Sequence, residues 1–234
     1  MADLANAFTT TLTLLLNLDD NLLEIVLLSL QVSVSAVVLA ALCGFPLGAG
    51  LALFRFPGRT LLVVLINALM GLPPVVVGLT VYLVLSRSGP LGGLGLLFTP
   101  PAMIFAQWIL VTPIVAAMTR QLIEDLWSEY GEQLRSLGTQ PHQAVWTLLW
   151  EGRYRLFTAV LAGFGRAIAE VGAVLIVGGN IAHATRVMTT AIALETAKGD
   201  LALALGLGII LILLSLLINA LVYLSQDFAQ RFAD

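Results

Sequence analysis

Five apolar segments, each long enough for a helix to cross bilayer hydrocarbon, which takes about 20 residues, most constrain this chain. They run over about Leu22–Phe54, Thr60–Leu85, Pro101–Thr119, Leu156–Val177 and Leu201–Leu224. Of the 234 residues 59% are hydrophobic and only 11% are charged, whereas soluble domains carry roughly a quarter charged residues. Backbone polar groups in lipid must bond within their own segment. The sequence therefore predicts an all-α polytopic membrane bundle of five transmembrane helices.

Prolines interrupt two of these segments. Gly44-Phe45-Pro46 lies in the first segment, which is longer than needed and is expected to tilt or to break there. Pro73-Pro74 is expected to kink the second segment. Such kinks are tolerated where the freed carbonyls face protein or a wet cavity, so they indicate either plain irregularity or the lining of a pathway.

The basic residues predict the orientation. Seven of the eleven fall on one side: Arg55, Arg59, Arg120, Arg135, Arg153, Arg155 and Arg231. Loops rich in Lys and Arg stay in the cytoplasm. We therefore expect the first and third loops and the C-terminus to be cytoplasmic and the N-terminus to lie outside. Gly44 and Gly48 form a GxxxG pattern, which is typical of close helix packing.

The third loop, residues 120–155, has the pattern of two short helices. Leu122, Leu126, Tyr130, Leu134 and Leu137 recur at helical spacing, Gly138 supplies a stop, and Pro141 suits a first helical turn. Trp146 and Trp150 lie one turn apart on the second helix. The loop is therefore predicted to be a helix–Gly turn–helix element on the cytoplasmic face.

The segment Glu132-Gln133-Leu134-Arg135-Ser136-Leu137-Gly138 resembles the EAA loop of type I ABC-importer permeases, in which a glutamate precedes a glycine by six residues. Gln133 and Leu134 depart from the usual alanine pair, and Trp150 and Glu151 replace a later Leu-Pro. The position between the third and fourth of five segments makes the short motif more specific.

The resemblance implies that this loop docks into a groove on a separate ATPase subunit. The implied coupling residues are Glu132, Leu137, Gly138, Gln140 and Pro141. A short helix pair with aromatic anchors agrees with helix-in-groove docking. The alternative is a loop that packs against its own bundle, with Trp146 and Trp150 as anchors at the membrane interface.

A charge pair lies inside the fourth segment. Arg166 is eleven residues beyond Arg155 and thus about 16 Å deep, and Glu170 follows one turn later on the same face. A charge at that depth costs about 3 kcal/mol, so the pair is expected to face the bundle interior, a dimer axis or a watery path. One interpretation is a neutralised structural pair, and the other is that Arg166 presents positive potential to an anion; the two are compatible.

The surrounding residues 164–181 are similar to the molybdate, sulfate and tungstate branch of these permeases. Arg166, Glu170, Gly172, Gly179 and Asn180 match that branch, whereas Ala169 and Val171 vary. Residues 185–211 look most like the tungstate-specific members. The resemblance implies an oxyanion path along Arg166, Glu170, Asn180, Thr189 and Thr190. For Asn180 and the two threonines, ordinary helix capping is the alternative that we favour.

The chain carries no phosphate-loop, zinc-ligand or nucleophile-elbow pattern and no basic patch suited to nucleic acid. We therefore expect no catalytic residues, no cofactor and no metal on this chain. ATP and Mg²⁺ are expected on the partner ATPase.

Residues 1–20 are predicted to be an external segment, residues 21–225 an ABC type-1 transmembrane domain, and residues 226–234 a cytoplasmic tail. The expected assembly is a homodimer in lipid, with ATPase subunits and an external substrate-binding protein, in a bacterial or archaeal plasma membrane. The open alternatives are a molybdate or sulfate permease and, from other classes, a gradient-driven anion carrier or channel or a membrane scaffold without transport.

Overall fold

The computed structural model describes the backbone of residues 20–231, and the side chains of that range except for residue 141 and residues 221–231. All the regular structure in this part of the chain is helical. One 3₁₀ turn, Gly92–Leu94, accompanies α1 (Asp20–Leu53), α2 (Arg59–Met70), α3 (Pro74–Leu85), α4 (Pro100–Ser136), α5 (Pro141–Glu151), α6 (Arg153–Ile168), α7 (Gly172–Gly178), α8 (Met188–Lys198) and α9 (Leu201–Arg231).

Three of these helices, α1, α4 and α9, are long and apolar enough to cross a membrane. The interrupted pairs α2–α3 and α6–α7 raise the number to as many as five if each pair is one span. The predicted all-helical membrane protein is thus confirmed, with three to five candidate spans. The predicted external segment 1–20 lies outside the described residues except for Asp20. Of the predicted tail 226–234, residues 226–231 continue α9.

The two proline-containing stretches behave differently. The predicted kink at Pro73-Pro74 is confirmed, since α2 ends at Met70 and α3 begins at Pro74. The first segment does not break: α1 continues through Pro46 as one helix of 34 residues. A proline deprives the helix of only one donor, and the flanking turns of α1 keep the helix continuous.

One compact group of elements contains the first part of α1, together with α3, the start of α4, α7, α8 and α9. Here α3 packs against α7 at Gly78, where an added Cβ would lie 2.7 Å from the Cα of Ala173. Helices α8 and α9 share an apolar cluster with the start of α1, formed by Leu22, Met188, Ala191, Leu207 and Ile210. The short helix α7, which lies between the predicted site residues Glu170 and Asn180, and α8, which carries Thr189 and Thr190, are held in this group.

The second compact group contains the rest of α1, α2, the rest of α4, α5 and α6. Gly44 and Gly48 of α1 lie against α4, and an added Cβ at Gly48 would lie 2.4 Å from the carbonyl oxygen of Ala116. The GxxxG prediction of close helix packing is therefore confirmed. The apolar cluster of this group supports α5 and consists of Ala49, Leu122, Ile123, Leu126, Ala144, Leu148 and Leu156.

Candidate functional site

The fourth predicted segment is broken in the middle. We expected one helix to carry Arg166 and Glu170 on the same face, and this expectation is wrong. Helix α6 ends at Ile168, α7 begins at Gly172, and Glu170 lies in the break between them. The break is stable because polar side chains bond to the backbone groups that it frees. The pairing of the two charges stays a prediction.

Side chains from distant parts of the sequence satisfy the backbone that the break leaves exposed. The side-chain amide of Gln107 donates to the carbonyl of Ala167 at 3.0 Å. The hydroxyl of Thr189 donates to the carbonyl of Glu170 at 2.8 Å. The carboxylate of Glu170 accepts the N–H of Ala173, at 3.0 Å, and so caps the start of α7. A broken helix survives in a water-poor environment when such partners are present.

Gln107 is a partner of the break that the sequence analysis missed. It is 3% exposed and lies in α4, within the otherwise apolar stretch from Ala102 to Val111. A lone amide in an apolar span is a signal that could have identified it, because a buried amide needs partners. In the structure its amide bonds to the carbonyl of Ala167, near the end of α6.

Arg166 lies in the last turn of α6 and is half-buried. A cation at this position interacts favourably with the partial negative charge of the helix C-terminus. That interaction agrees with a structural role, and it also keeps a positive charge at the break. Both roles predicted for Arg166 therefore remain open.

Of the other residues of the predicted path, Thr189 bonds to Glu170, whereas Asn180 and Thr190 form hydrogen bonds within their own segment. The Thr190 hydroxyl donates to the carbonyl of Val187 at 3.0 Å and accepts its N–H at 3.1 Å. The Asn180 amide donates to the carbonyl of Thr190 at 3.3 Å. Thr189 and Thr190 are buried. These contacts are the capping that the sequence analysis favoured over contact with substrate, whereas a role in the path stays a prediction.

The predicted helix–Gly turn–helix element of the third loop is confirmed. Gly138 has φ +74°, and the N–H of Thr139 donates to the carbonyl of Leu134 at 2.9 Å, which closes the end of α4. Helix α5 then begins at Pro141, where the Gln140 N–H donates to the Gln143 side chain at 3.0 Å. One feature differs from the prediction, since the third segment and the first helix of the loop form the single helix α4.

The predicted coupling residues lie together at this turn. Glu132, Gly138 and Gln140 are exposed, and Leu137 is 80% exposed. The side chain of Leu137 is therefore open to contact from outside the chain. The arrangement offers a projecting apolar contact for a partner.

The two faces of α5 have different environments. Ala144 and Leu148 are buried against α4, so part of α5 does pack on its own chain, as the alternative interpretation required. Trp146 and Trp150 point away and are 73% and 70% exposed. The guanidinium of Arg153 lies 5.0 Å from the Trp150 ring centroid, within the range of a cation–π contact.

An ion cluster joins the first and third loops, and the sequence analysis did not foresee it. Arg59 and Arg120 each contact one carboxylate oxygen of Glu124 at 2.6 Å. Arg59 also donates to the carbonyl of Leu51, near the end of α1, at 2.6 Å. The cluster ties the turn between α1 and α2 to α4.

Among the side chains that the structure describes, no group of three or more His, Cys, Asp or Glu residues could hold a metal ion. His183 lies in an exposed pair with Glu24, with 2.7 Å between the ring Nδ1 and the carboxylate.

The sequence matches a described protein family over residues 44–232, named as the binding-protein-dependent transport system inner membrane component. A tungstate uptake system permease protein, TupB, of Peptoclostridium acidaminophilum is 41% identical over 97% of this chain and 100% of its own length. A probable anion ABC transporter permease protein of Haloferax volcanii is 42% identical, covering 86% of this chain and 88% of that protein. The TupB of Campylobacter jejuni is 39% identical over 92% and 90% of the two chains.

Proposed function

Because the chain belongs to the family of binding-protein-dependent transport system inner membrane components, we propose that it is the permease subunit of an ABC importer for tungstate. The tungstate uptake permeases at 41% and 39% identity support this cargo. Under this proposal the chain hydrolyses nothing itself. It provides a path for an oxyanion that an external binding protein delivers, and ATP and Mg²⁺ act on separate ATPase subunits.

The observation that carries the mechanism is the continuity of α4. One helix of 37 residues runs from the predicted third span into the predicted coupling turn at Gly138. A helix is stiff along its axis, so a displacement of the turn by an ATPase would be transmitted into the membrane. The exposed Leu137 and the residues Glu132, Gln140 and Pro141 would form the contact with that ATPase.

The proposal includes five spans, with α2–α3 and α6–α7 each counted as one, the N-terminus outside and the C-terminus in the cytoplasm. Residues 21–225 would form the transmembrane domain, flanked by the external segment 1–20 and the tail 226–234. The distribution of arginines supports this orientation. The location would be a bacterial or archaeal plasma membrane. Two copies would enclose the path, since five helices are few for a sealed, gated channel.

The break between α6 and α7 is the proposed place of anion passage. Interrupted helices inside a membrane commonly line the path of an ionic substrate. Arg166 would supply positive potential there, and Glu170, Asn180, Thr189 and Thr190 would maintain the shape of the break. Local capping by these residues supports a positioning role for them.

The test is uptake of labelled tungstate into proteoliposomes that contain the permease with or without its ATPase and binding protein. Uptake should require all the components, together with ATP on the side of the membrane where the ATPase lies. A gradient-driven carrier would instead move tungstate unaided when only a voltage or proton gradient is applied, and that result would refute an ATP-driven importer. Competition by unlabelled molybdate or sulfate distinguishes the cargo, since a preference for either over tungstate would correct the substrate.

The orientation has a separate test, in a background where Cys43 is replaced by Ser. We expect Leu137→Cys to react with a membrane-impermeant maleimide only in inside-out vesicles. Leu94→Cys, at a residue that is 61% exposed in the second loop, is the matched control and should react only from the other side. The same sidedness for both residues would refute the proposed topology.

A further inference from the structure

An apolar groove lies between α1, α5 and α6, all within the second compact group. Its volume is about 390 Å³, within the range of about 300–1,000 Å³ typical of small-molecule sites. Its lining includes Leu42, Phe45, Trp146, Trp150, Phe157 and Val160. Leu42 is 67% exposed and the two tryptophans are exposed to a similar degree, so the groove is open along one side.

The groove has one cationic end. Arg153 lines it, while Val160 lies seven residues further along α6, about 10 Å deeper along the helix axis. The Arg153 guanidinium donates to the Trp150 carbonyl at 2.9 Å and to the Tyr154 hydroxyl at 3.3 Å. A guanidinium has five N–H donors, so further donors remain available. Among the described residues, no carboxylate forms an ion pair with Arg153.

We propose that this groove binds one acyl chain of an anionic phospholipid, whose phosphate lies on Arg153. The charge is complementary, since a guanidinium binds phosphate through paired hydrogen bonds. The aromatic residues also fit, because tryptophan is enriched where headgroups meet hydrocarbon. Basic pockets between membrane helices are known to receive anionic headgroups. A purely apolar protein segment would give the charge of Arg153 no anionic partner.

The position of the groove in the chain gives the lipid a consequence. Its lining joins α5, the helix after the Gly138 turn, to α1 and α6. A lipid in this place would therefore brace α5 against two membrane helices. Binding requires only that α1 and α6 cross the membrane, so loss of the lipid preference would leave the proposed import function untouched.

The experiment uses the full chain in nanodiscs of phosphatidylcholine, with Trp108→Phe and Trp127→Phe so that Trp146 and Trp150 report. A lipid with brominated chains, either phosphatidylglycerol or phosphatidylcholine, is included at increasing fractions. The quenching of tryptophan fluorescence by each brominated lipid is measured. We expect phosphatidylglycerol to reach half-quenching at a fraction about fivefold lower, the effect of one basic residue at an anionic headgroup. Arg153→Gln should remove this preference. Quenching by brominated phosphatidylcholine should stay unchanged in this variant, which would show that it is folded.

Arg155→Gln is the matched control, because Arg155 is an exposed arginine two positions away that does not line the groove. It should keep the preference. Ala41→Phe, which fills the groove, should reduce quenching by both lipids. The site would be overturned if the quenching curves of the two lipids coincide when Arg153 is present. It would also be overturned if the preference for phosphatidylglycerol survives Arg153→Gln, or if Arg155→Gln loses that preference equally. So would displacement by inorganic phosphate alone, or loss of quenching when the ATPase is bound, which would assign the groove to a protein.

Discussion

Replacement of Gly48 by alanine tests the contact between α1 and α4 most directly. The added Cβ would lie 2.4 Å from the carbonyl oxygen of Ala116, 2.8 Å from the Cβ of Thr119 and 2.9 Å from the backbone nitrogen of Arg120. Two of these three atoms belong to the backbone of α4, which cannot turn aside as a flexible side chain would. The helices must therefore separate, or α1 must shift along α4.

Gly50→Ala provides a matched reference two residues away in the same helix. There the nearest atom to an added Cβ is a ring carbon of Phe54 at 4.0 Å, an ordinary contact. Both substitutions gain the same helix propensity, about 1 kcal/mol. The difference between them is therefore the cost of overpacking, typically about 1–3 kcal/mol. For a chain of this size, 1 kcal/mol shifts the melting temperature by about 2–4 °C.

We expect Gly48→Ala to melt about 4–8 °C below Gly50→Ala, for a cost of about 2 kcal/mol. Thermal unfolding of the two purified variants in the same detergent, followed by intrinsic fluorescence, gives the comparison. If Gly48→Ala melts at or above Gly50→Ala, the close approach of α1 to α4 at this position is wrong.

Four further predictions concern the ion cluster, the turn and the break. Glu124→Gln should lower the melting temperature by about 2–4 °C, because it removes one carboxylate from two arginines, whereas Lys198→Gln, in an exposed pair, should change it little. Leu137→Ala should weaken co-purification of the ATPase severalfold while Leu94→Ala, at another exposed leucine, does not; equal effects would refute docking at the turn. Glu170→Ala should cost about 1–3 kcal/mol by removing the cap of α7, measured as loss of thermal stability that Glu170→Gln largely restores. Arg166→Gln should reduce tungstate flux more than it reduces assembly, and normal flux in a well-expressed variant would make Arg166 a packing residue.

Local chemistry explains which expectations the structure confirmed. Pro73-Pro74 separates α2 from α3 because proline cannot donate, and Gly138 turns the chain because glycine adopts φ +74° without strain. The GxxxG pair also acts through a local property, the absence of a side chain. The exposure of Leu137 and the hydrogen-bond partners of Thr189 and Thr190 depend on how the helices pack. The sequence therefore did not predict them in detail.

The sequence by itself determined that this chain is a set of apolar helices with a helical hairpin between two of them, because hydrophobic length and periodicity are properties of neighbouring residues. Only the tertiary structure decided that α4 continues unbroken to Ser136 and that the fourth segment breaks after Ile168. The break is stable because partners far away in the sequence satisfy it: Gln107 lies 60 positions from Ala167, and Thr189 lies 19 positions from Glu170. In lipid each freed backbone group needs such a partner, and periodicity carries no information about which distant residue will provide it.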